Sequence, residues 1–325
     1  MDGRKWFLLI FLAIAVFVGL VGYGDFRKIG THLAEFPYPF LAAAFALACA
    51  NFALRFVRWA YYLKALDLDP PLSISVLVFL SGLAMAITPG KAGELYKCYL
   101  LRDRAGIPLS ASVPVVVMER LTDLVSVVLI AILGLALLPP VVVWVVGGVL
   151  ILCMLVLIPI VTRLWDDLLS LPLLRRWKDD LETSRDSLRT LVQPNVQLVS
   201  IGLGLVAWVA EGLALWLIMY GLNSDVDIFE AIPVYAAATL VGAITTLPGG
   251  LVGTEGSMVA MLQQSGAARE AASTGALLVR LATLWFAVVV GLVALLWLNR
   301  IGGKVTESVP AIEPEGPDGQ LPTRP

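Results

Sequence analysis

The sequence predicts an all-α polytopic membrane protein built as an inverted repeat, with two Pro-Gly-broken re-entrant helical hairpins among about six full spans. Three observations predict it: an apolar composition, a series of apolar runs of bilayer length, and two matching Pro-Gly motifs 159 residues apart (248 less 89). Of 325 residues, 59% are hydrophobic and 15% charged, with a mean hydropathy of +0.87. Ordinary soluble domains run about 45–50% apolar and about 25% charged. The net charge of −2 comes with basic residues scattered through short loops, which excludes the one-sided basic face of a nucleic-acid binder. His32 is the only histidine, and Cys49, Cys98 and Cys153 stand in or beside apolar runs without a ligand spacing. No metal site, no cofactor site and no Ser/His catalysis is therefore expected, and the cysteines read as small buried residues.

Apolar runs of the roughly 20 residues that a bilayer core requires lie at 6–23, 38–63, 111–138, 141–162, 196–222 and 271–299. The first, after MDGRK, is long for the core of a signal peptide and lacks a clear small-residue cleavage site, so it is read as a span that starts in the cytoplasm. Two further runs, 72–88 and 229–247, end at Pro89-Gly90 and Pro248-Gly249, each followed by a short helix-like piece. Proline removes a helical hydrogen bond and glycine permits turned backbone, so each pair breaks its helix.

The positive-inside bias favours a chain that turns back at both breaks. Lys91, Lys97, Arg102 and Arg104 then join the basic residues of 163–195, Arg300 and Lys304 on the cytoplasmic side, whereas Arg27 and Lys28 fall outside. The segment 163–195 places leucines at helical spacing among alternating charges and is read as a cytoplasmic amphipathic insertion on the membrane surface. Residues 1–302 form the membrane domain. The Pro-, Gly- and Glu-rich stretch 303–325 reads as a disordered cytoplasmic tail, which puts both termini in the cytoplasm and the chain in the inner membrane.

Superposing the two Pro-Gly pairs brings Gly93-Glu94 near Gly253 and Glu255, and Arg120 onto Arg280. Three crossings between the hairpins turn the second copy upside down. Inverted repeats with broken helices suit alternating access, because the two halves can exchange conformations; plain gene duplication without transport is the alternative.

Ionisable residues at span depth cost about 2.5–3.5 kcal/mol each on insertion scales, so those retained here mark candidate sites. Glu119 and Asp123 share a face at i,i+4, with Arg120 about 100° round; Asn51, Arg55 and Arg58 share another face; Glu211 and Arg280 lie in further spans. Arginine grips phosphate oxygens in bidentate fashion, and helix N-termini starting near Gly90 and Gly250 would add free N–H groups, so an anionic headgroup is the expected ligand. Glu94 and Glu255 are candidate proton or cation sites beside the breaks. For Glu119, Arg120, Asp123, Glu211 and Arg280 the competing reading is a set of ion pairs that only hold the bundle together. Trp59, Tyr61 and Tyr62 read as an interfacial belt.

The ordered set Asn51-x-x-Leu54-Arg55-x-x-Arg58-Trp59, Pro89-Gly90-x-x-Gly93-Glu94, Glu119-Arg120-x-x-Asp123, Pro248-Gly249-Gly250-Leu251 to Glu255, and Arg280 resembles the flippase-like family of the lysylphosphatidylglycerol synthase transmembrane region, from about residue 5 to 300. The resemblance implies translocation of a lipid, such as an aminoacylated phospholipid, a hopanoid-related lipid or a polyprenyl-phosphate carrier, with an anionic phospholipid among the expected partners. The soluble aminoacyltransferase domain of the family's bifunctional members is missing, so lysine transfer is not expected. Lys97 stands where the family commonly has arginine, and Val252-Gly253 reverses a usual Gly-Val order. The alternatives are an intramembrane lipid-modifying enzyme with Glu119 or Asp123 as base, a non-transporting partner of a lipid-biosynthetic enzyme, and a small-solute transporter.

Overall fold

Among the described residues prolines open four of the helices, where their missing N–H is one of the donors a helix start leaves unused anyway. The computed structural model describes residues 26–88, 93–134, 144, 147, 148, 151, 155, 178–245 and 247–301. The expected span 6–23, most of 141–162, the Pro89-Gly90 pair, 163–177 and the tail lie outside the described residues. After the short α1 (Phe26–Ala34), α2 (Tyr38–Ala65) follows Pro37 and runs for 28 residues. Pro71 precedes α3 (Leu72–Leu83), which tightens into a 3-10 turn at Ala84–Ile87; α4 (Tyr96–Ala105) ends at Gly106, whose φ of 68° is the left-handed cap. Pro108 precedes α5 (Leu109–Leu133). Beyond the undescribed segment come α6 (Lys178–Leu191) and α7 (Pro194–Gly221), the latter again 28 residues long with Pro194 in its first turn.

A capping box of Asp227 and Glu230 starts α8 (Ile228–Ile244), which is followed by a 3-10 turn at Pro248–Gly250 and by α9 (Gly253–Gln264). The last stretch is α10 (Arg269–Arg280), a π turn at Leu281–Trp285 and α11 (Phe286–Arg300). Among the described residues α2, α7 and the continuous α10–α11 are long and apolar enough to cross a membrane. At 1.5 Å per residue the 25 residues of α5 reach about 37 Å, also beyond the roughly 30 Å of a hydrocarbon core, but Glu119, Arg120 and Asp123 interrupt its apolarity.

The packing shows how these helices share the charge. The most extensive helix–helix interface joins α2 to α7; α3 lies on α11 and on α4, and α8 lies on α5 and on α9. The two 3-10 turns touch, since Gly249 sits against Ile87. Outward, α11 exposes Val289, Leu292, Val293, Leu296 and Trp297, α7 exposes Leu198, Val199 and Val206, and α5 exposes Leu129, Ile132 and Leu133. A soluble monomer rarely leaves that much contiguous apolar surface bare. Inward, Asn51, Arg58, Ser81, Ser126 and Glu119 are fully buried. The molecule is apolar outside and charged inside, as a lipid solvent demands.

Several expectations are corrected here. Trp59 and Tyr62 are 0% exposed and belong to the core, with Trp59 Nε1 donating to Ser75 Oγ (3.2 Å) and Tyr62 Oη donating to Thr122 Oγ1 (3.2 Å), so they form no interfacial belt. Lys97 is 2% exposed and leaves the set of cytoplasmic loop charges. Cys98 is buried as expected, whereas Cys49 faces outward from α2. The helix after the second break begins at Gly253, because the 3-10 turn occupies Pro248–Gly250. Of the amphipathic insertion, α6 buries Leu188 and Leu191 while most of its polar side chains stay exposed, and Ser184 Oγ donates to the carbonyl of Ser110 at the start of α5 (2.9 Å).

Small residues set the closest approaches. A Cβ on Gly291 of α11 would lie 2.8 Å from Ala84 Cα and 2.9 Å from Leu83 C, both backbone atoms that cannot step aside. Gly291→Ala is expected to destabilise by about 1–3 kcal/mol through overpacking. Gly202→Ala on the open face of α7, where nothing lies within 4 Å, is expected to be neutral or stabilising by up to about 1 kcal/mol. Thermal unfolding of the two variants in detergent checks the contrast.

Candidate functional site

Asp123, in the middle of α5, gathers donors from three helices. Arg58 Nη2 donates to its Oδ1 (2.6 Å), Arg55 Nη2 to its Oδ2 (3.1 Å), Arg120 Nη1 to Oδ2 (3.3 Å), and Trp208 Nε1 of α7 to Oδ1 (3.3 Å). The i,i+3 spacing of Arg55 and Arg58 puts both on the α5-facing side of α2, and the same spacing lets Arg120 reach Asp123 within its own helix. Arg120 is also ion-paired with Glu94, two residues before α4. Donor capacity remains on the basic side, since Arg55 Nε, Arg58 Nε and Nη1 and Arg120 Nε are buried without a hydrogen-bond partner in the protein.

Beside this cluster, Lys97 of α4 donates to Glu119 (2.6 Å) and approaches Glu94 (3.9 Å). Its ammonium lies 4.6 Å from the ring centroid of Trp59 and 5.3 Å from that of Phe79, so aromatic faces complete its shell.

The second half is built differently. Arg280, the last residue of α10, donates from Nε to Glu255 Oε1 (2.6 Å) and from Nη2 to the carbonyl oxygen of Gly249 (2.5 Å). That carbonyl belongs to a glycine at φ 63° followed by another at φ 68°, a left-handed pair that residues with a Cβ seldom adopt. Val252 also has positive φ, at 71°, a strained value for a β-branched residue. It is the residue at which the sequence reverses the usual Gly-Val order. Across from Arg280, Tyr235 Oη of α8 donates to Glu211 Oε2 of α7 (2.7 Å) and lies 3.3 Å from Thr283 Oγ1 in the π turn.

These groups surround a cavity of about 300 Å³. Arg55, Glu94, Arg120, Asp123, Glu211 and Arg280 line it, together with Gly249 and Gly250, while Phe52, Leu83, Leu124, Val127, Leu240 and Leu284 supply apolar wall. Arg58 and Glu255 stand behind it as partners of Asp123 and Arg280, and Glu119 holds Lys97. Pro248 lies in the second break, and Gly93 packs against Thr88 at the edge of the first. The sequence reading missed Lys97, Tyr235, Thr283 and Trp208. Tyr235 and Thr239, polar at i,i+4 in the apolar run that follows Glu230, were the available signal for α8. Among the described residues no three His, Cys, Asp or Glu side chains come together as metal ligands.

The sequence of the chain is similar to known ones. The family model described as Lysylphosphatidylglycerol synthase TM region matches residues 10–291. Two proteins of Methanothermobacter thermautotrophicus, both named UPF0104 membrane protein, are similar to this chain. One is 33% identical over 141 residues, covering 41% of this chain and 39% of the relative; the other is 25% identical over 136 residues, covering 42% and 39%. The chain thus spans about 39% of the length of each of these curated relatives.

Two stability predictions follow from the geometry. Lys97→Met strands Glu119 in the core and is expected to cost about 3–5 kcal/mol, with much of the loss recovered in the Lys97→Met, Glu119→Gln pair. Val252→Gly is expected to stabilise by about 1–2 kcal/mol by relieving the left-handed backbone. Both are read as shifts in the thermal midpoint of the purified protein.

Proposed function

The chain belongs to the family of the lysylphosphatidylglycerol synthase transmembrane region, and from that premise we propose that it carries a lipid with an anionic headgroup between the leaflets of the membrane. The observation that carries this reading is the double nature of the cavity: guanidinium and carboxylate groups from both halves at its polar wall, hydrocarbon over the rest. A lipid has the same division. Its headgroup is the barrier to crossing, whereas acyl or prenyl tails that stay in hydrocarbon cost little to move.

An inverted repeat supplies the motion, and several features support it. Two 28-residue helices, α2 and α7, each lead into a broken pair, α3–α4 and α8–α9, and then into a long helix, α5 and α10–α11. The hairpin helix of each half packs on the long helix of the other. At both breaks a threonine hydroxyl donates to the carbonyl three residues back, Thr88 to Met85 (2.6 Å) and Thr245 to Gly242 (2.7 Å), and packs against the glycine that opens the next segment, Gly93 or Gly253. The hairpins read as re-entrant, with both termini in the cytoplasm and the chain in the inner membrane. Alternating access then exchanges the conformations of the two halves around the cavity.

In this mechanism Arg120 and Arg280 hold the headgroup in turn. Each sits on a carboxylate of its own half, Glu94 or Glu255, so an arriving phosphate exchanges with that carboxylate and the guanidinium is never bare in a low dielectric. No covalent bond is made or broken, and the partners are membrane lipids. Anionic phospholipid, hopanoid-related lipid and polyprenyl phosphate are the candidate cargoes.

Translocation of fluorescent phosphatidylglycerol in phosphatidylcholine proteoliposomes tests this. Wild type is expected to exceed protein-free vesicles, and Arg120→Ala and Arg280→Ala to lose at least about tenfold, equivalent to about 1.4 kcal/mol. The Glu94→Gln, Arg120→Gln pair leaves no unpaired carboxylate at Glu94, and flux lost in that folded variant would assign Arg120 to binding rather than to stability. Wild-type rates in folded Arg120→Ala would overturn the assignment, and an inactive wild type would favour a polyprenyl-phosphate cargo or a non-transporting partner.

A further inference from the structure

Glu94 stands between two cations. Its Oε2 is ion-paired with Arg120 of α5 and lies 3.9 Å from the Nζ of Lys97, three residues further along its own segment. Glu94 and Arg120 line the cavity, whereas Lys97 is buried outside that lining. The place of Lys97 is closely made. Gly82 of α3 clears its stem, since a Cβ there would stand 2.5 Å from Lys97 Cδ and 2.6 Å from Cγ. At the far end the ammonium donates to Glu119 Oε2 (2.6 Å) against the faces of Trp59 and Phe79. An ammonium has three N–H groups, and aromatic faces attract it without fixing a direction. A shift of about 1 Å brings an ion pair at the Lys97–Glu94 separation to hydrogen-bond length, and a shift that small leaves Glu119 and the aromatic faces within reach.

The exchange of Glu94 for phosphate at Arg120 creates the need for such a cation. A carboxylate released inside the bundle is strongly disfavoured unless a positive group receives it, and that penalty would weaken phosphate binding by the same amount. Lys97 is at i,i+3 from Glu94, so it stays beside the carboxylate when the segment after the first break shifts against α5. The second half differs here. The residue three on from Glu255 is Met258, fully buried and uncharged, and α9 carries no lysine or arginine. A displaced Glu255 has no receiver on its own helix.

We propose that Lys97 is a positioning residue for the headgroup: it receives Glu94 when an anionic headgroup takes Arg120, and gives it back when the headgroup leaves. The affinity of the first half for phosphate is then set partly by a side chain that does not touch the ligand, whereas the second half binds without that help. The proposal rests on the translocation reading above for its ligand. No covalent bond changes; a carboxylate passes from a guanidinium to an ammonium and back.

Binding of fluorescent phosphatidylglycerol to the full chain in phosphatidylcholine nanodiscs tests Lys97 apart from flux. The signal is energy transfer from the protein's tryptophans, above the background set by fluorescent phosphatidylcholine. Compared with Glu119→Gln alone, the Lys97→Met, Glu119→Gln pair is expected to bind about tenfold more weakly, and with Glu94→Gln added to both proteins the difference is expected to vanish. Lys97→Arg keeps a cation beside both glutamates and is expected to bind like wild type. A loss that persists without the Glu94 charge would assign Lys97 to packing alone, and binding unaffected by its removal from folded protein would mean that Glu94 needs no receiver. Either result overturns the proposal and leaves the translocation reading standing. The expected pattern in a protein that moves no phosphatidylglycerol keeps the role of Lys97 and counts against translocation instead. Displacement of the probe by inorganic phosphate would overturn the assignment to a lipid headgroup, and a wild type that binds phosphatidylglycerol no better than phosphatidylcholine would overturn the proposal outright.

Discussion

Asp123 is the constraint on which the other features of the bundle depend. A carboxylate at that depth in an apolar bundle is intolerable alone, and the chain answers with three guanidinium groups and an indole N–H drawn from α2, α5 and α7. Those bonds fix the register of α2 against α5 and bring α7 close. They also dictate small residues nearby: a Cβ on Gly204 would stand 3.1 Å from Arg58 Nη1 and collide with Ser126, so the glycine of α7 makes the room the arginine occupies. Arg58 is fully buried, and its position is as much a packing requirement as an electrostatic one.

In the proposed function the same bonds connect stability to transport. A bundle whose polar interior consists of fixed, saturated pairs would be a strut. Here the pairs meet at a cavity, and the residues that line it, Arg120 and Arg280, come from opposite halves and hold carboxylates that follow each half's break. The two halves are not equal: three arginines converge on one aspartate in the first, whereas in the second one arginine is shared between a glutamate and a backbone carbonyl. Under the proposed function, a headgroup meets a dense cationic wall on one side and a single guanidinium on the other. In the proposed cycle, unequal walls would give distinct inward and outward affinities even with a symmetric backbone exchange.

Much of this was legible in the sequence because charge in an apolar run is a rare event with few explanations. Arg55, Glu94, Arg120, Asp123, Glu211 and Arg280 were singled out individually, and all of them line one cavity. The second break was legible from Pro248-Gly249, because proline and glycine act on the backbone locally. The partners were not legible. Nothing in the periodicity distinguishes a lipid-facing from a protein-facing position when both are apolar, so Trp59 and Tyr62 read as interfacial and Cys49 as buried. Lys97 was misplaced for a related reason: beside a break it looked like loop charge, and only the arrival of α5 with Glu119 and of α2 with Trp59 makes its burial tolerable. Tyr235 carries no formal charge and so raised no alarm, although its hydroxyl occupies the middle of the second half.

The π turn at Leu281–Trp285 has a meaning best put in the language of dislocations in solids. It stores one surplus residue within a long helix, as a line defect stores an extra half-plane of atoms. A crystal slips by moving such a defect, one bond at a time, because shearing the whole plane at once is prohibitive. A helix in hydrocarbon faces the same choice, since it cannot open its hydrogen bonds to lipid. With the surplus residue beside Arg280, α10 can turn relative to α11 by remaking a single carbonyl partner at each step, so the arginine can be re-aimed while the lipid-facing stripe of α11 stays where it is.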